Sequence, residues 1–169
     1  RGPNGLNTLI TGDRPLVRVD LPNEKIHLDP WHQEQAYYDS PPDSFTVWLP
    51  FTKMLRESGP VEFISGSENA DFLDVTYQNT RPYVNINDLG SWAQAEILSP
   101  LVELGNACYF NHRVIHRSNQ NTSHLPRCSL QFRFNIMSNK ENIKYNYPSA
   151  FKVTPAQDLF ASGAKRLFN

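Results

Sequence analysis

From Cys128 to Met137 the chain alternates: Ser129, Gln131, Arg133 and Asn135, with Arg127 just before them, fall on one parity, and Leu130, Phe132, Phe134 and Ile136 on the other. Successive side chains of a strand point to opposite faces, so this run is a strand and not a helix. One face is polar along its whole length. Such a face either meets solvent or lines a polar cavity, and the fold has to supply one or the other.

The rest of the chain has the same texture. Leu16–Asp20 is a short strand by its β-branched content and alternation. Ser44–Leu49 places Ser44, Thr46 and Trp48 on one face and Phe45, Val47 and Leu49 on the other, which suits a sheet that packs on one side and lines a cavity on the other. A tight turn at Glu57-Ser-Gly-Pro60 leads to a strand over 61–64. Leu101–Leu104 and Ala107–Phe110 are expected to pair around Gly105-Asn106, a hairpin signal, and the second of them to run on to His116. Residues 1–15, with Gly2, Pro3, Gly5, Gly12 and Pro15, read as irregular. Residues 68–100 are poorly patterned, apart from a short helical turn through Trp92–Glu96 capped by Asp88 or Ser91. A weak helical pattern surrounds Leu159-Phe160. Thirteen prolines and a 12% aromatic share fit a loop-rich β domain better than a helical bundle. The expected architecture is mainly β, a jelly roll with a cavity between its sheets and a few short peripheral helices, forming a single domain over residues 1–169.

A formal charge of -1 gives no basic field for nucleic acid or an anionic membrane surface. No apolar run approaches the roughly 18 residues of a membrane span. Cys108 and Cys128 do not form a C-x-x-C pair and are expected to be reduced thiols, which points to a cytoplasmic protein. The sequence opens on Arg1 and not on Met, as a chain lacking its natural N-terminus would.

Two stretches carry chemistry. Trp31-His-Gln-Glu34 holds an H-x-E triplet, and on a strand His32 and Glu34 would share a face. His116 ends a strand far downstream, and Arg127 opens the next one eleven positions later. Two histidines and one carboxylate leave three positions open on an octahedral Fe(II), as in the facial triads of non-haem oxygenases. A chelating 2-oxo acid takes two of those positions and dioxygen (O2) the third. His112 has the same strand parity as His116 and rivals it as the third ligand; otherwise it is a wall or supporting residue. Arg127, a planar donor that stays charged, suits the distal carboxylate of the 2-oxo acid, and Ser118 can add a hydroxyl. Thr46 and Trp48 face the expected cavity. Tyr37 is expected near its mouth, and Gln131 and Arg133 on its polar wall, where Arg133 either replaces Arg127 or meets an anionic part of a small-molecule substrate. A different outcome for the same pattern is a cupin-like binding or isomerase domain that holds a metal or a sugar without oxygen chemistry.

The chain resembles the phytanoyl-CoA dioxygenase family of Fe(II)/2-oxoglutarate oxygenases. The resemblance rests on Trp31-His-Gln-Glu-Gln-Ala-Tyr37, on Trp48-Leu-Pro, on Gly59-Pro-Val-Glu-Phe-Ile-Ser-Gly-Ser67, and on His116-Arg-Ser-Asn-Gln-Asn-Thr-Ser-His-Leu-Pro-Arg127. It implies a double-stranded β-helix, Fe(II) held by His32, Glu34 and His116, and 2-oxoglutarate held by Arg127 with Ser118 and Trp48. It also implies a reaction in which 2-oxoglutarate is decarboxylated to succinate while a substrate C–H bond is oxidised, most commonly hydroxylated. Two features depart from the family. Glu34 stands where members usually carry Asp, and the segment that usually precedes this core is short or missing.

Overall fold

The computed structural model describes residues 8–26, 28–37, 43–78, 81–85 and 88–136. Nine strands occur among them: β1 (Thr8–Asp20), β2 (Phe45–Pro50), β3 (Glu62–Ile64), β4 (Thr76–Gln78), β5 (Arg81–Tyr83), β6 (Ile97–Leu98), β7 (Cys108–Asn111), β8 (His116–Arg117) and β9 (Arg127–Ile136). The expected helices reduce to short 3-10 turns, including one over Gly90–Gln94 where the sequence suggested a turn. The weak helical pattern around Leu159-Phe160 lies outside the described residues.

The larger sheet has the order β1-β9-β2-β7 and the smaller one β6-β3-β8, with β4 and β5 as a separate pair. The smaller sheet extends through single backbone contacts. His32 N–H donates to the His116 carbonyl (2.9 Å), His116 N–H donates to the His32 carbonyl (3.0 Å), and Val84 N–H donates to the Trp31 carbonyl (2.7 Å). The two sheets enclose a cavity between them, so the fold is the expected jelly roll.

The interior face of the larger sheet is its polar one. Arg127, Ser129, Arg133 and Asn135 of β9 are buried, as are Thr46 and Trp48 of β2. Of the two possibilities for the polar parity of β9, the cavity wins. The apolar parity faces outward, where Phe45 stacks on Phe134 with ring centroids 5.1 Å apart. Strand β1 inverts the usual pattern even more plainly: Val17 is 62% exposed and Asp20 5%. Apolar packing is concentrated in two clusters, one with Trp48, Met54, Phe63, Phe110 and Val114, the other with Trp31, Ile64, Ala70, Val84, Leu89 and Ile115.

Three expectations need correction. Residues 8–11 are not irregular, because the long strand β9 offers them a partner; Gly12 and Pro15 fall inside the register shift between Thr11 and Leu16, and residues 1–7 of that expectation lie outside the described residues. Leu101–Leu104 is not a strand, and β7 pairs with β2 instead, Thr46 opposite Phe110. Residues 109–116 are not one strand either. The Asn111 side chain accepts the backbone N–H groups of Arg113 (3.1 Å) and Val114 (3.2 Å), turning the chain between β7 and β8. The shared parity of His112 and His116 therefore means nothing.

Candidate active site

His32 and His116 face each other as a closely bonded antiparallel pair. Residues paired in this way carry their side chains on the same side of the sheet, and here the ring centroids lie 4.2 Å apart. In both rings Nδ1 is tied to a backbone carbonyl: His32 to Pro30 (2.7 Å) and His116 to Val114 (2.9 Å). Donation from Nδ1–H fixes the tautomer and leaves Nε2 with its lone pair facing the cavity, the form in which imidazole binds a metal.

Glu34 is not on a strand as expected but on a 3-10 turn, Glu34–Ala36. It converges on the histidines all the same. Its Oε1 lies 3.4 Å from His116 Nε2, and the donor atoms of His32, Glu34 and His116 all lie within 4.8 Å of one another. The three could hold one metal ion between them. Burial alone would push the Glu34 carboxyl up. The Arg133 guanidinium and the nearby histidines outweigh it and hold the group well below the usual carboxylate range. Burial, reinforced by His116, pushes His32 down to about 4, so its ring is neutral and available at neutral pH.

Between His32 and Glu34, Gln33 points the other way and is 2% exposed. Its Nε2 donates to the carbonyls of Asp71 (3.1 Å) and Arg113 (2.7 Å), and its Oε1 accepts Leu73 N–H (2.8 Å). The middle residue of the triplet is thus bolted to two distant segments while its neighbours turn towards His116.

The three side chains open onto a cavity of about 130 Å³, lined also by Tyr37, Trp48, Ser118, Gln131 and Arg133. Tyr37 meets His32 edge to face, 5.1 Å between centroids. Ser118 Oγ donates to Asp29 Oδ2 at 3.4 Å. Thr46 is fully buried one strand-repeat from Trp48 and His112 is fully buried at the end of β7; neither lines the cavity. Burial pushes His112 down to about 4 against the pull of Glu34. Arg127 does not line the cavity either. It is 2% exposed and bonded to Asp20 through Nε (3.0 Å) and Nη2 (2.8 Å), while its Nη1 has no hydrogen-bond partner among the described residues.

The sequence pattern of the phytanoyl-CoA dioxygenase (PhyH) family matches residues 21–129. The chain belongs to the phytanoyl-CoA dioxygenase family. An L-proline trans-4-hydroxylase from Streptomyces griseoviridis is 26% identical over 134 residues, covering 65% of this chain and 49% of that protein. The chain therefore spans about half the length of this curated relative. Among solved structures, the non-heme alpha-ketoglutarate-dependent carbocyclase SnoK from nogalamycin biosynthesis superposes with a TM-score of 0.62 at 11% identity, over 86% of this chain and 61% of that one. The epimerase SnoN, in complex with Fe3+, alpha-ketoglutarate and nogalamycin RO, gives a TM-score of 0.60 at 15% identity, over 76% and 50%. These likenesses establish the fold.

The structure gives the family's motif residues distinct tasks. In the loop from His116 to Arg127, Asn121 is buried and donates from Nδ2 to the carbonyls of Asp20 (3.0 Å) and Leu125 (2.8 Å), and Ser123 Oγ donates to Asn121 Oδ1 (2.7 Å). These two residues shape the loop. Gly59 lies beneath it with φ 72°, and a Cβ there would stand 2.5 Å from the carbonyl oxygens of Asn119 and Gln120. Only glycine allows both the backbone turn and the close approach. Sequence reasoning missed Arg18, Asp29 and Arg117, all in the cavity wall. Arg18 bonds both Asp20 and Asp29. Arg117 bonds Glu62 (2.6 Å) and lies over the Trp31 ring. The signal for Arg18 was present: two charged residues, Arg18 and Asp20, share a parity inside a strand whose other parity is valine.

Proposed function

We propose that this chain is the catalytic core of an Fe(II)/2-oxoglutarate-dependent dioxygenase that hydroxylates a C–H bond of a small polar molecule while 2-oxoglutarate is decarboxylated to succinate. The observation that carries the reading is the buried His32, Glu34, His116 trio with both imidazole Nδ1 atoms tied to carbonyls, which leaves the Nε2 atoms facing one point. When bound there, Fe(II) supplies the binding and activation of dioxygen. The relatives support the co-substrates: one similar structure holds Fe3+ and alpha-ketoglutarate, and one sequence relative is an L-proline hydroxylase.

The other roles belong to the protein. His32 and His116 offer neutral nitrogen donors, and Glu34 offers the charge that offsets that of the metal. Arg127, Ser118, Trp48 and Thr46 are assigned to 2-oxoglutarate. Supporting this, Arg127 Nη1 and Thr46 Oγ1 are buried polar atoms without hydrogen-bond partners among the described residues, the state of a site shaped for a polar guest. Arg18 shares Asp20 with Arg127 and, unlike Arg127, lines the cavity. Tyr37, Gln131 and Arg117 remain for the substrate. Asp29 places a carboxylate in the same wall, so a molecule bearing both charges, such as L-proline, is the first to test. One observation favours the cupin-like alternative: Arg127 is engaged by Asp20 and lies outside the cavity lining.

The deciding experiment is an anaerobic titration of the metal-free chain with Fe(II) and then 2-oxoglutarate, followed in the visible range. A charge-transfer band that requires both additions and vanishes in His116→Ala is expected. Its absence from folded wild-type protein would refute the proposal and leave the cupin-like reading.

A further inference from the structure

Glu34 carries one more methylene than aspartate, hence one more rotatable bond, and a carboxylate can bind a cation through one oxygen or through both. The choice matters in a site that has to keep three positions open. The structure shows the two oxygens of Glu34 in different company. Oε1 faces His116 Nε2 at 3.4 Å, whereas Oε2 accepts a hydrogen bond from Arg133 Nε at 3.1 Å.

Arg133 is well placed to hold that oxygen. It is 5% exposed in the middle of β9, with its backbone paired to Thr11 on one side and Thr46 on the other. Its Nη2 donates to Gln131 Oε1 at 2.8 Å, one strand-repeat away on the same face. A guanidinium is planar, permanently charged and rigid in its donor directions, so a backbone fixed on both sides translates into a fixed donor.

We infer that Arg133 is a positioning residue: it occupies one oxygen of Glu34 and leaves the other as a single-oxygen ligand to the metal shared with His32 and His116. This rests on the metal centre proposed above. It reassigns Arg133 and Gln131 from substrate contacts to the support of a ligand. It also accounts for how a longer acid serves in the triplet, because the added freedom of glutamate is removed by the clamp.

The test uses Co(II) as the probe, without 2-oxoglutarate, on the full chain. Wild type, Arg133→Lys, Gln131→Leu, Glu34→Asp and the double variant Glu34→Asp/Arg133→Lys are compared by the visible Co(II) spectrum, by Co(II) affinity and by circular dichroism. Arg133→Lys keeps the charge and loses the Nε donor. It should change the shape of the Co(II) band and weaken binding by about 10-fold or more, the usual scale for losing a group that orients a ligand. In the Glu34→Asp background the shorter acid is drawn back from Arg133, and the same substitution should change affinity by less than about threefold. Gln131→Leu should shift the spectrum in the same direction by a smaller amount. An unchanged band and affinity in folded Arg133→Lys, or an equal loss in both backgrounds, overturns the clamp. If Arg133→Lys does not fold, a wild-type spectrum in Gln131→Leu overturns it. Wild-type protein that takes up no Co(II) refutes the metal centre itself, a result distinct from both.

Discussion

Replacing Gln33 by leucine keeps the side chain's bulk and deletes three hydrogen bonds, to the carbonyls of Asp71 and Arg113 and from the N–H of Leu73. Each neutral bond contributes about 1 kcal/mol net, and a partner left dry costs more. Asp71 is exposed and Leu73 only half-buried, so water can replace part of the loss there. The sum is about 3 kcal/mol, a sizeable share of the 5–15 kcal/mol typical of a folded domain. For a chain of this size that corresponds to a drop of roughly 6–12 °C in melting temperature. Urea denaturation of the metal-free protein measures it directly. Gln35, two positions along and half-buried, is the control; Gln35→Leu should cost under about 0.5 kcal/mol. Gln33 lies between two of the proposed ligands, so the variant should also bind Fe(II) about 10-fold more weakly. A stability loss below about 1 kcal/mol, with metal affinity intact, would show that the triplet is held in place without its central residue.

Gly59→Ala should lose about 2 kcal/mol or more from the left-handed backbone and the clash with the loop, and should weaken 2-oxoglutarate through the displaced Ser118; chemical denaturation and a ligand titration check both. The metal-free chain should be acid-labile. Burial holds His32 and His112 at about 4 in the folded chain, against about 6.5 when unfolded. Below pH 6.5 the unfolded chain therefore binds protons that the folded one excludes, and stability falls towards pH 4 by about 1.4 kcal/mol per pH unit for each group. A urea midpoint that stays level from pH 7 to 5 would contradict this. Arg127→Ala should raise the dissociation constant for 2-oxoglutarate and also destabilise the chain by about 2 kcal/mol, since Asp20 loses Arg127 and keeps only Arg18; adding Asp20→Asn should restore part of the stability and none of the affinity.

Local periodicity was enough to find β2 and β9, because the inward and outward positions of a strand alternate whatever it pairs with. It also showed that one face of β9 was polar, the inward face from which Gln131 and Arg133 line the cavity. The cluster of His32, Glu34 and His116, a candidate metal site, was legible from residue type and spacing, although the strand expected under His32 and Glu34 is a bridge followed by a turn. What could not be read depends on partners remote in sequence. The first half of β1 exists because β9 is long enough to receive it. β7 pairs with β2, and no feature of Gly105-Asn106 could announce that. Arg18 and Asp29 reach the wall through each other and through Asp20, and only the folded chain brings those residues together. No helix among the described residues is long and apolar enough to cross a membrane.

The backbone bonds between His32 and His116 join two segments far apart in the chain, and their side chains converge on the same point. An ion bound there would rivet the seam that those amides stitch. Loading would then be a folding event as much as a catalytic one: ligand present at 100 times its dissociation constant adds about 2.7 kcal/mol to the folded state. Iron-starved chains would fray first at this seam, exposing the His32 and His116 amides to solvent exchange. The yield of intact protein from a culture would then follow the metal supplied to it.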